Sequence, residues 1–127
     1  MTICPLLSEI IDLDRPMTGD RLRSAYERFW QNFYAGDADD ELVKRARLRA
    51  DQLLTSIVRK YRNDSDLVLV GHGGILEVLM ARLLGGYPRP GYTVEFVLEP
   101  GSFHLLELAI DGERIAHLRL HYTNRSL

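Results

Sequence analysis

The stretch LVLVGHGGILEVLMARLLGG, residues 67–86, decides the fold of this 127-residue chain. Leu67–Val70 is a continuous apolar run after a polar segment, which is typical of a strand buried on both faces. One histidine among three glycines follows it. Residues 75–84 are then apolar nearly all round, which predicts a buried helix that ends at Gly85 and Gly86. A strand, a tight glycine turn and a helix make half of an α/β unit.

Upstream, the apolar residues follow the helical spacing of two amphipathic segments. The first helix is expected to have Thr18 as its N-cap and to end near Gly36, with an aromatic inner face. The second is expected to begin at Asp39 or Asp40 and to reach Tyr61, with its arginines and lysines mostly outside the apolar stripe. Because no aromatic residues interleave with that basic face as base-stacking platforms would, it indicates a solvated surface and not a nucleic-acid site.

Downstream, the period changes from helical to alternating. Apolar residues alternate on both sides of Asp111 and Gly112, which is the strongest short-range signal for a β-hairpin. Residues 93–98 are a further candidate strand. The whole pattern predicts one α/β domain over residues 1–127, with a mixed, mainly parallel sheet flanked by helices and a C-terminal β-hairpin.

Composition narrows the class of protein. With 46% hydrophobic residues, the chain can bury one core. Its formal net charge is −2, so the protein has no strong electrostatic field that would attract nucleic acid or an anionic membrane. No apolar run reaches the ~20 residues that a membrane span needs, and the N-terminus lacks the basic start of a signal peptide. The single cysteine, Cys4, excludes an internal disulfide and suits a reducing compartment. We expect a cytoplasmic protein.

The histidine between the glycines is the candidate functional residue. In open α/β sheets, ligands gather where strands end and helix N-termini direct free amides and a positive dipole outward. We therefore expect His72 at the end of the strand, with Gly71, Gly73 and Gly74 permitting a close approach of ligand to backbone. An imidazole beside convergent amides makes an anion site, for which phosphate is the obvious ligand. The alternative is that the glycines only make a tight turn and the histidine is incidental.

The same stretch resembles the second histidine motif of the histidine phosphatase superfamily, the phosphoglycerate-mutase-like fold. LLSEI at residues 6–10 is similar to the segment that supplies the acidic proton donor of that family, which would be Glu9. TGDRLRSAYERFWQNF is similar to its Gly-Glu-Ser helix entry and later arginine, here Arg28, although Asp20 and Arg21 replace the Glu-Ser pair. EPGSFHLLEL resembles the polar turn that would place Ser102 near the pocket.

The sequence departs from the family at its most important residue. The nucleophile of the family is another histidine, in an Arg-His-Gly motif on the first strand, and this sequence contains no such motif. The other histidines are His104, His117 and His121. The alternation around His117 and His121 directs them away from the core, and without nearby carboxylates or cysteines we expect no metal site. The resemblance covers roughly the C-terminal two thirds of a typical member, which indicates an N-terminally incomplete domain.

The resemblance implies roles for the matching residues. His72 would stabilise the charge of the transferring phosphoryl group, and Gly73 and Ser102 would help to bind it. Glu9 would protonate the leaving alcohol, for which its pKa must be raised. No cofactor is expected, and the ligand would be a phosphorylated small molecule or phosphate ion. Without the first histidine, we expect weak or no turnover.

Three functions fit these residues to different degrees. The first is a histidine phosphatase that hydrolyses phosphomonoesters in its complete form. The second is a non-catalytic pseudoenzyme that binds phosphate esters or only oligomerises. The third takes His-Gly-Gly as the oxyanion loop of an α/β-hydrolase, and it fails because the sequence has no Gly-x-Ser-x-Gly nucleophile motif.

The resemblance also bears on assembly. The first strand of the family lies in the middle of the sheet, so its absence would leave unpaired strand edges that recruit other strands. We therefore expect a homodimer. The aromatic helix around Phe29, Trp30 and Phe33 is a second candidate contact surface.

Overall fold

The computed structural model describes residues 5–7, 19–61 and 66–126. Within them the chain forms three helices and a β-hairpin, with a short 3-10 turn at Pro5–Leu7. The elements are α1 (Gly19–Tyr34), α2 (Glu41–Lys60), α3 (Gly73–Leu83), β1 (Phe103–Asp111) and β2 (Arg114–Arg125). The three predicted helices and the predicted hairpin are confirmed. The proposed N-cap Thr18, the candidate acid Glu9 and Cys4 lie outside the described residues.

Helix α1 ends at Tyr34, and Gly36, the predicted stop, forms the turn that closes it. Gly36 has a φ of +75°, the left-handed conformation that glycine adopts without a steric penalty. Its N–H donates to the Phe33 carbonyl at 3.1 Å, and the Asp37 N–H donates to the Asn32 carbonyl at 3.0 Å. This pair of bonds is a Schellman motif, which satisfies carbonyls that the helix end would otherwise leave open.

Asp40 is the N-cap of helix α2, which resolves the choice between Asp39 and Asp40. The Asp40 side chain accepts a hydrogen bond from the Val43 N–H at 3.0 Å, and the Asn32 amide donates to its other oxygen at 3.0 Å. The Val43 N–H is the main cause of a lowered pKa for this carboxyl. The cap therefore fixes both the start of α2 and its position against the end of α1.

The core is built from the three helices. Aromatic residues of α1 pack against small and branched residues of α2 and the apolar face of α3. The buried members are Phe29, Phe33, Val43, Ala46, Ala50, Ile75, Val78 and Ala81. A second cluster joins Leu53 and Ile57 of α2 to Leu79 of α3. The prediction that α3 is a buried helix is confirmed, because five of its eleven residues are buried.

Phe29 and Phe33 are buried within this core, so the proposal of the aromatic helix as a contact surface is wrong for these two residues.

The hairpin is antiparallel, and its strands pair from Phe103↔Arg125 to Asp111↔Arg114. The turn lies at Gly112 and Glu113, one residue later than the Asp-Gly pair indicated, with Gly112 at a φ of +63°. Exposure alternates along β1, as the two-residue period requires.

The predicted mainly parallel sheet is not present in the described residues. Their only strand ladder is the antiparallel β1–β2 pair, and neither Leu67–Val70 nor residues 93–98 form a strand. The prediction of a buried strand at Leu67–Val70 is therefore wrong, and His72 does not follow a strand. Leu69 packs on the second cluster, whereas Val68 and Val70 are 84% and 81% exposed. The physical reason is that a strand requires a hydrogen-bonded neighbour, and no described segment supplies one. No helix in the described ranges is long and apolar enough to cross a membrane.

Candidate functional site

His72 is the N-cap of α3. Its backbone is extended, with φ −79° and ψ 146°, and its carbonyl accepts the Leu76 N–H at 3.2 Å, the first bond of the helix. The imidazole does not cap the helix, and the residue is exposed. The N–H groups of Gly73, Gly74 and Ile75 therefore come before any intrahelical acceptor, at the positive end of the helix dipole. This arrangement suits an anion.

The three glycines around His72 do not adopt the left-handed backbone conformation that favours glycine. Gly71, Gly73 and Gly74 are absent from the glycines with positive φ, so none of them is required by a left-handed backbone conformation. A Cβ built on Gly73 would have no atom within 4 Å. Because Gly73 has no side chain, the space beside the helix N-terminus is open, and a ligand can enter it.

Ser102 belongs to a polar group at the open end of the hairpin. Its hydroxyl donates to the Glu99 carbonyl at 2.5 Å and lies 3.4 Å from His104 Nε2. Asn124, at a φ of +51°, donates its side-chain amide to the Val97 carbonyl at 2.7 Å and accepts the Glu99 N–H at 2.9 Å. The hydrogen bonds of Ser102 therefore organise the segment before β1.

The nearby serine and histidine do not form a nucleophilic pair. The Asn124 backbone N–H donates to His104 Nδ1 at 3.1 Å, which places the proton of a neutral imidazole on Nε2. Nε2 is then a donor to Ser102, and it cannot take the serine proton, which the Glu99 carbonyl already accepts. The arrangement that activates a serine has the opposite polarity.

The remaining predicted residues are dispersed. His117 and His121 are exposed on the hairpin, as expected, and His121 lies 3.9 Å from the Glu107 carboxylate. Arg28 is exposed on α1, and its charge contributes to the lowered pKa of Asp40. Glu9 lies outside the described residues, so its proposed pairing with His72 stays a prediction.

Glu77, which is half-buried on α3, was not among the functional residues predicted from the sequence. The Tyr34 hydroxyl donates to its carboxylate, and the Tyr34 carbonyl accepts the Thr93 hydroxyl at 2.8 Å. Burial raises the pKa of Glu77 above its ordinary value, and the negative charge of Glu95 adds to this, against the opposing effect of the Tyr34 bond. Burial and Glu77 also raise the pKa of Tyr34. The signal was present in the sequence, because Glu77 is the only acid in α3, a helix whose one other charged residue is Arg82.

Glu77 is not a partner of His72 on the same helix face. Residues five apart in an α-helix are rotated by about 140°, whereas neighbours on one face are three or four apart. The Tyr34–Glu77 bond instead ties α3 to the end of α1, and the Thr93 hydroxyl ties the following segment to the same point. These contacts fix the orientation of the helix that carries His72.

A cleft of about 590 Å³ lies elsewhere, between α2, the end of α3 and β2. Leu54, Val58 and Leu118 contribute apolar walls, and His72 does not line it. The charged residues that line it are each paired: Arg82 with Asp51 at 3.3 Å, Glu113 with Arg59 at 3.4 Å and Arg114 with Asp111 at 3.4 Å. They therefore present no uncompensated charge to an anion. In the described part of the chain, no group of three or more candidate ligands could hold a metal ion.

The fold and the site define an α/β protein whose candidate anion site is the histidine-capped N-terminus of a buried helix. The family profile of the Histidine phosphatase superfamily (branch 1) matches residues 11–121, so the chain belongs to that superfamily. No curated protein and no solved structure matches it.

Proposed function

We propose that this chain binds the phosphate group of a phosphorylated small molecule, or phosphate ion, at His72. The supporting observation is the exposed His72 at the N-cap of α3, followed by N–H groups that have no intrahelical acceptor. Membership of the histidine phosphatase superfamily makes a phosphomonoester the expected ligand. We place this function in the cytoplasm, and it requires no cofactor.

The proposed chemistry divides the work between binding and transfer. His72 and the Gly73 N–H stabilise negative charge on the phosphoryl oxygens, and Glu9 protonates the leaving alcohol. In its complete form the domain hydrolyses phosphomonoesters through a histidine nucleophile. The sequence contains no Arg-His-Gly motif, so this chain binds the ligand with little or no turnover. Ser102 joins the ligand only if its hydroxyl leaves the Glu99 carbonyl.

The non-catalytic alternative is a pseudoenzyme that has kept only the binding step. The rate of phosphomonoester hydrolysis distinguishes a residual hydrolase from a pseudoenzyme. A residual hydrolase cleaves p-nitrophenyl phosphate slowly and loses that activity with His72→Ala, whereas a pseudoenzyme binds phosphate and releases no product above the uncatalysed rate.

Gly73→Pro gives the sharpest test of the binding site. Proline at the first helical position is tolerated because its missing N–H has no intrahelical partner, and the extended backbone of His72 suits a residue before proline. The space beside Gly73 is open. The substitution therefore removes one proposed phosphate donor while keeping α3.

We expect inorganic phosphate to shift the Gly74 amide resonance in 15N-HSQC titrations of the unchanged chain. Gly73→Pro should weaken binding about 10- to 150-fold, as expected for a lost hydrogen bond to a charged group worth about 1.5–3 kcal/mol. His72→Ala should also weaken it, and His117→Ala, an exposed histidine on β2, should not. Equal affinities for all four chains would refute the site. Efficient turnover abolished by His72→Ala would show that His72 is a nucleophile.

A further inference from the structure

Glu77 lies one helical turn after the amides at the N-terminus of α3. It follows Gly73 by four residues and Gly74 by three, and residues at these spacings share a face of an α-helix. Four residues advance the helix by about 6 Å, and helical side chains tilt towards the N-terminus. The Glu77 side chain is therefore on the face of α3 that carries Gly73 and Gly74, whose N–H groups come before any intrahelical acceptor.

The space beside Gly73 separates the Glu77 carboxyl from this end of the helix. A Cβ built on Gly73 would have no atom within 4 Å, and this includes the atoms of the Glu77 side chain. Glu77 therefore leaves room for a ligand at Gly73. The effect of its charge on an anion bound there is electrostatic and acts over several ångströms.

The Glu77 carboxyl is held away from the helix end by a neighbouring element. The Tyr34 hydroxyl of α1 donates a hydrogen bond to Glu77 Oε1. Helix α2 packs on α3 through apolar residues such as Val43 and Ala46. Among the described residues, the titratable groups of other elements that act on the carboxyl are Tyr34 and Glu95, which precedes β1.

These surroundings make the charge of Glu77 sensitive to pH above the range of an ordinary glutamate. Burial raises the pKa of Glu77 above 4.5, the negative charge of Glu95 raises it further, and the hydrogen bond from Tyr34 opposes both. Burial and Glu77 raise the pKa of Tyr34, so its hydroxyl remains protonated and remains the donor. The group that changes charge in this pair is therefore the carboxyl.

The charge of Glu77 has a defined effect on an anion at the start of α3. A carboxylate one turn into the helix repels the anion and offsets the positive end of the helix dipole, whereas a neutral carboxyl does neither. Charges placed in this way change affinity by about two- to fivefold at low ionic strength. The Debye length is about 10 Å at 0.1 M salt, so added salt weakens the effect.

We propose that protonation of Glu77 controls the phosphate affinity of this chain, so that phosphate binding is coupled to uptake of a proton from solvent by the Glu77 carboxyl. The coupling rests on the phosphate site proposed at His72 and is reciprocal, because a proton that strengthens phosphate binding is itself held more tightly when phosphate is bound. Tyr34 and Glu95 set the pH at which the affinity changes.

The first test removes the charge of Glu77 and keeps the contact with Tyr34. Glu77→Gln retains an oxygen that can accept the Tyr34 hydroxyl. The control is Glu41→Gln, which changes the net charge equally in the first turn of α2. Inorganic phosphate is titrated at pH 5 and pH 7, at constant low ionic strength, and followed by the Gly74 amide in 15N-HSQC spectra. Because all chains contain His72 and meet the same phosphate species, their affinity ratio at each pH cancels the titration of both.

We expect Glu77→Gln to bind phosphate about two- to fivefold more tightly than the unchanged chain at pH 7, and with nearly equal affinity at pH 5. Glu41→Gln should match the unchanged chain at both pH values. The same ratio of affinities for Glu77→Gln and the unchanged chain at both pH values would overturn the proposal, and so would an equal gain for Glu41→Gln.

The second test changes the pH at which affinity falls and leaves Glu77 in place. Tyr34→Phe removes a hydrogen bond that favours the charged carboxyl, so the loss of affinity should move to higher pH. Glu95→Gln removes a negative charge, so the loss should move to lower pH. The 13C resonance of the Glu77 carboxyl, identified by its absence from Glu77→Gln, should show the same two movements, and phosphate should raise the pKa of Glu77 in the unchanged chain.

A merely structural role for Tyr34 and Glu95 would change affinity by the same factor at every pH. Movement of both variants in one direction, or of neither, would therefore refute the coupling. If phosphate shifts the Gly74 resonance in none of the chains, the phosphate site itself is refuted and the coupling with it. If phosphate binds and the affinity ratio does not change with pH, the site stands and only the coupling is refuted.

Discussion

Gly36 should be the glycine whose replacement by alanine costs the most stability in the described chain. At a φ of +75°, an alanine pays about 1–2 kcal/mol for the left-handed backbone. Its Cβ would also lie 2.6 Å from Arg89 Cα and 2.7 Å from Pro90 Cδ. Neither atom belongs to a flexible side chain, so the segment at residues 89–90 must move, at a cost of about 1–3 kcal/mol.

The two contributions can be separated with glycines elsewhere in the chain. Gly86 has a φ of +88° but open space at its Cβ position, and Gly85 has open space and no positive φ. Alanine also restricts the unfolded chain, which stabilises the fold by about 0.4–1 kcal/mol. We therefore expect Gly85→Ala to be neutral or stabilising, Gly86→Ala to cost about 1 kcal/mol, and Gly36→Ala to cost about 2–4 kcal/mol.

Urea denaturation at pH 7 measures these differences from the transition midpoint at constant slope. A loss of about 2–4 kcal/mol is a large fraction of the ~5–15 kcal/mol that stabilises a typical domain. If Gly36→Ala and Gly86→Ala have equal free energies of unfolding, then the close approach of residues 89–90 to the end of α1 contributes nothing, and the contact reasoning is wrong.

Three further predictions concern the polar contacts. Tyr34→Phe should cost about 1 kcal/mol by removing the bond to Glu77, and a double-mutant cycle with Glu77→Gln should show non-additive losses. Since burial raises the folded-state pKa of Glu77, acidification from pH 7 towards pH 5 should stabilise the unchanged chain relative to Glu77→Gln. Urea denaturation at both pH values measures this difference, and a difference that does not change with pH would contradict the prediction. Asn124→Ala should cost about 2–4 kcal/mol, because it loses the bonds to Val97 and Glu99 and places alanine at positive φ, whereas Asn124→Gly should lose only the bonds.

The sequence predicted the helices and the hairpin because their signals are local. The spacing of apolar residues, the Asp40 cap and Gly36 each act within a few positions of the chain, and the structure follows them closely. The buried character of α3 was also readable, since its composition leaves no polar face to turn to water. These features require no knowledge of distant segments.

The strand at Leu67–Val70 was predicted wrongly because strand formation is not local. The apolar run satisfies the composition of a strand, but a strand exists only beside a hydrogen-bonded partner. The structure retains half of the expected pattern, with Leu69 packed against the helices and Val68 and Val70 exposed on the other side. The Tyr34–Glu77 contact was missed for a related reason, since its two residues are 43 positions apart.

The distinction between local and non-local structure also bears on function. The proposed phosphate site needs only the His72 cap, the following amides and the packing of α3 on α2, all of which are present without the strand before it. Phosphoryl transfer needs more, because a nucleophile must approach from another part of the fold in line with the leaving group. Phosphate affinity and turnover should therefore be separable in this chain. A variant that leaves His72, the Gly73 N–H, the charge of Glu77 and α3 intact should keep phosphate affinity, whatever its effect on hydrolysis.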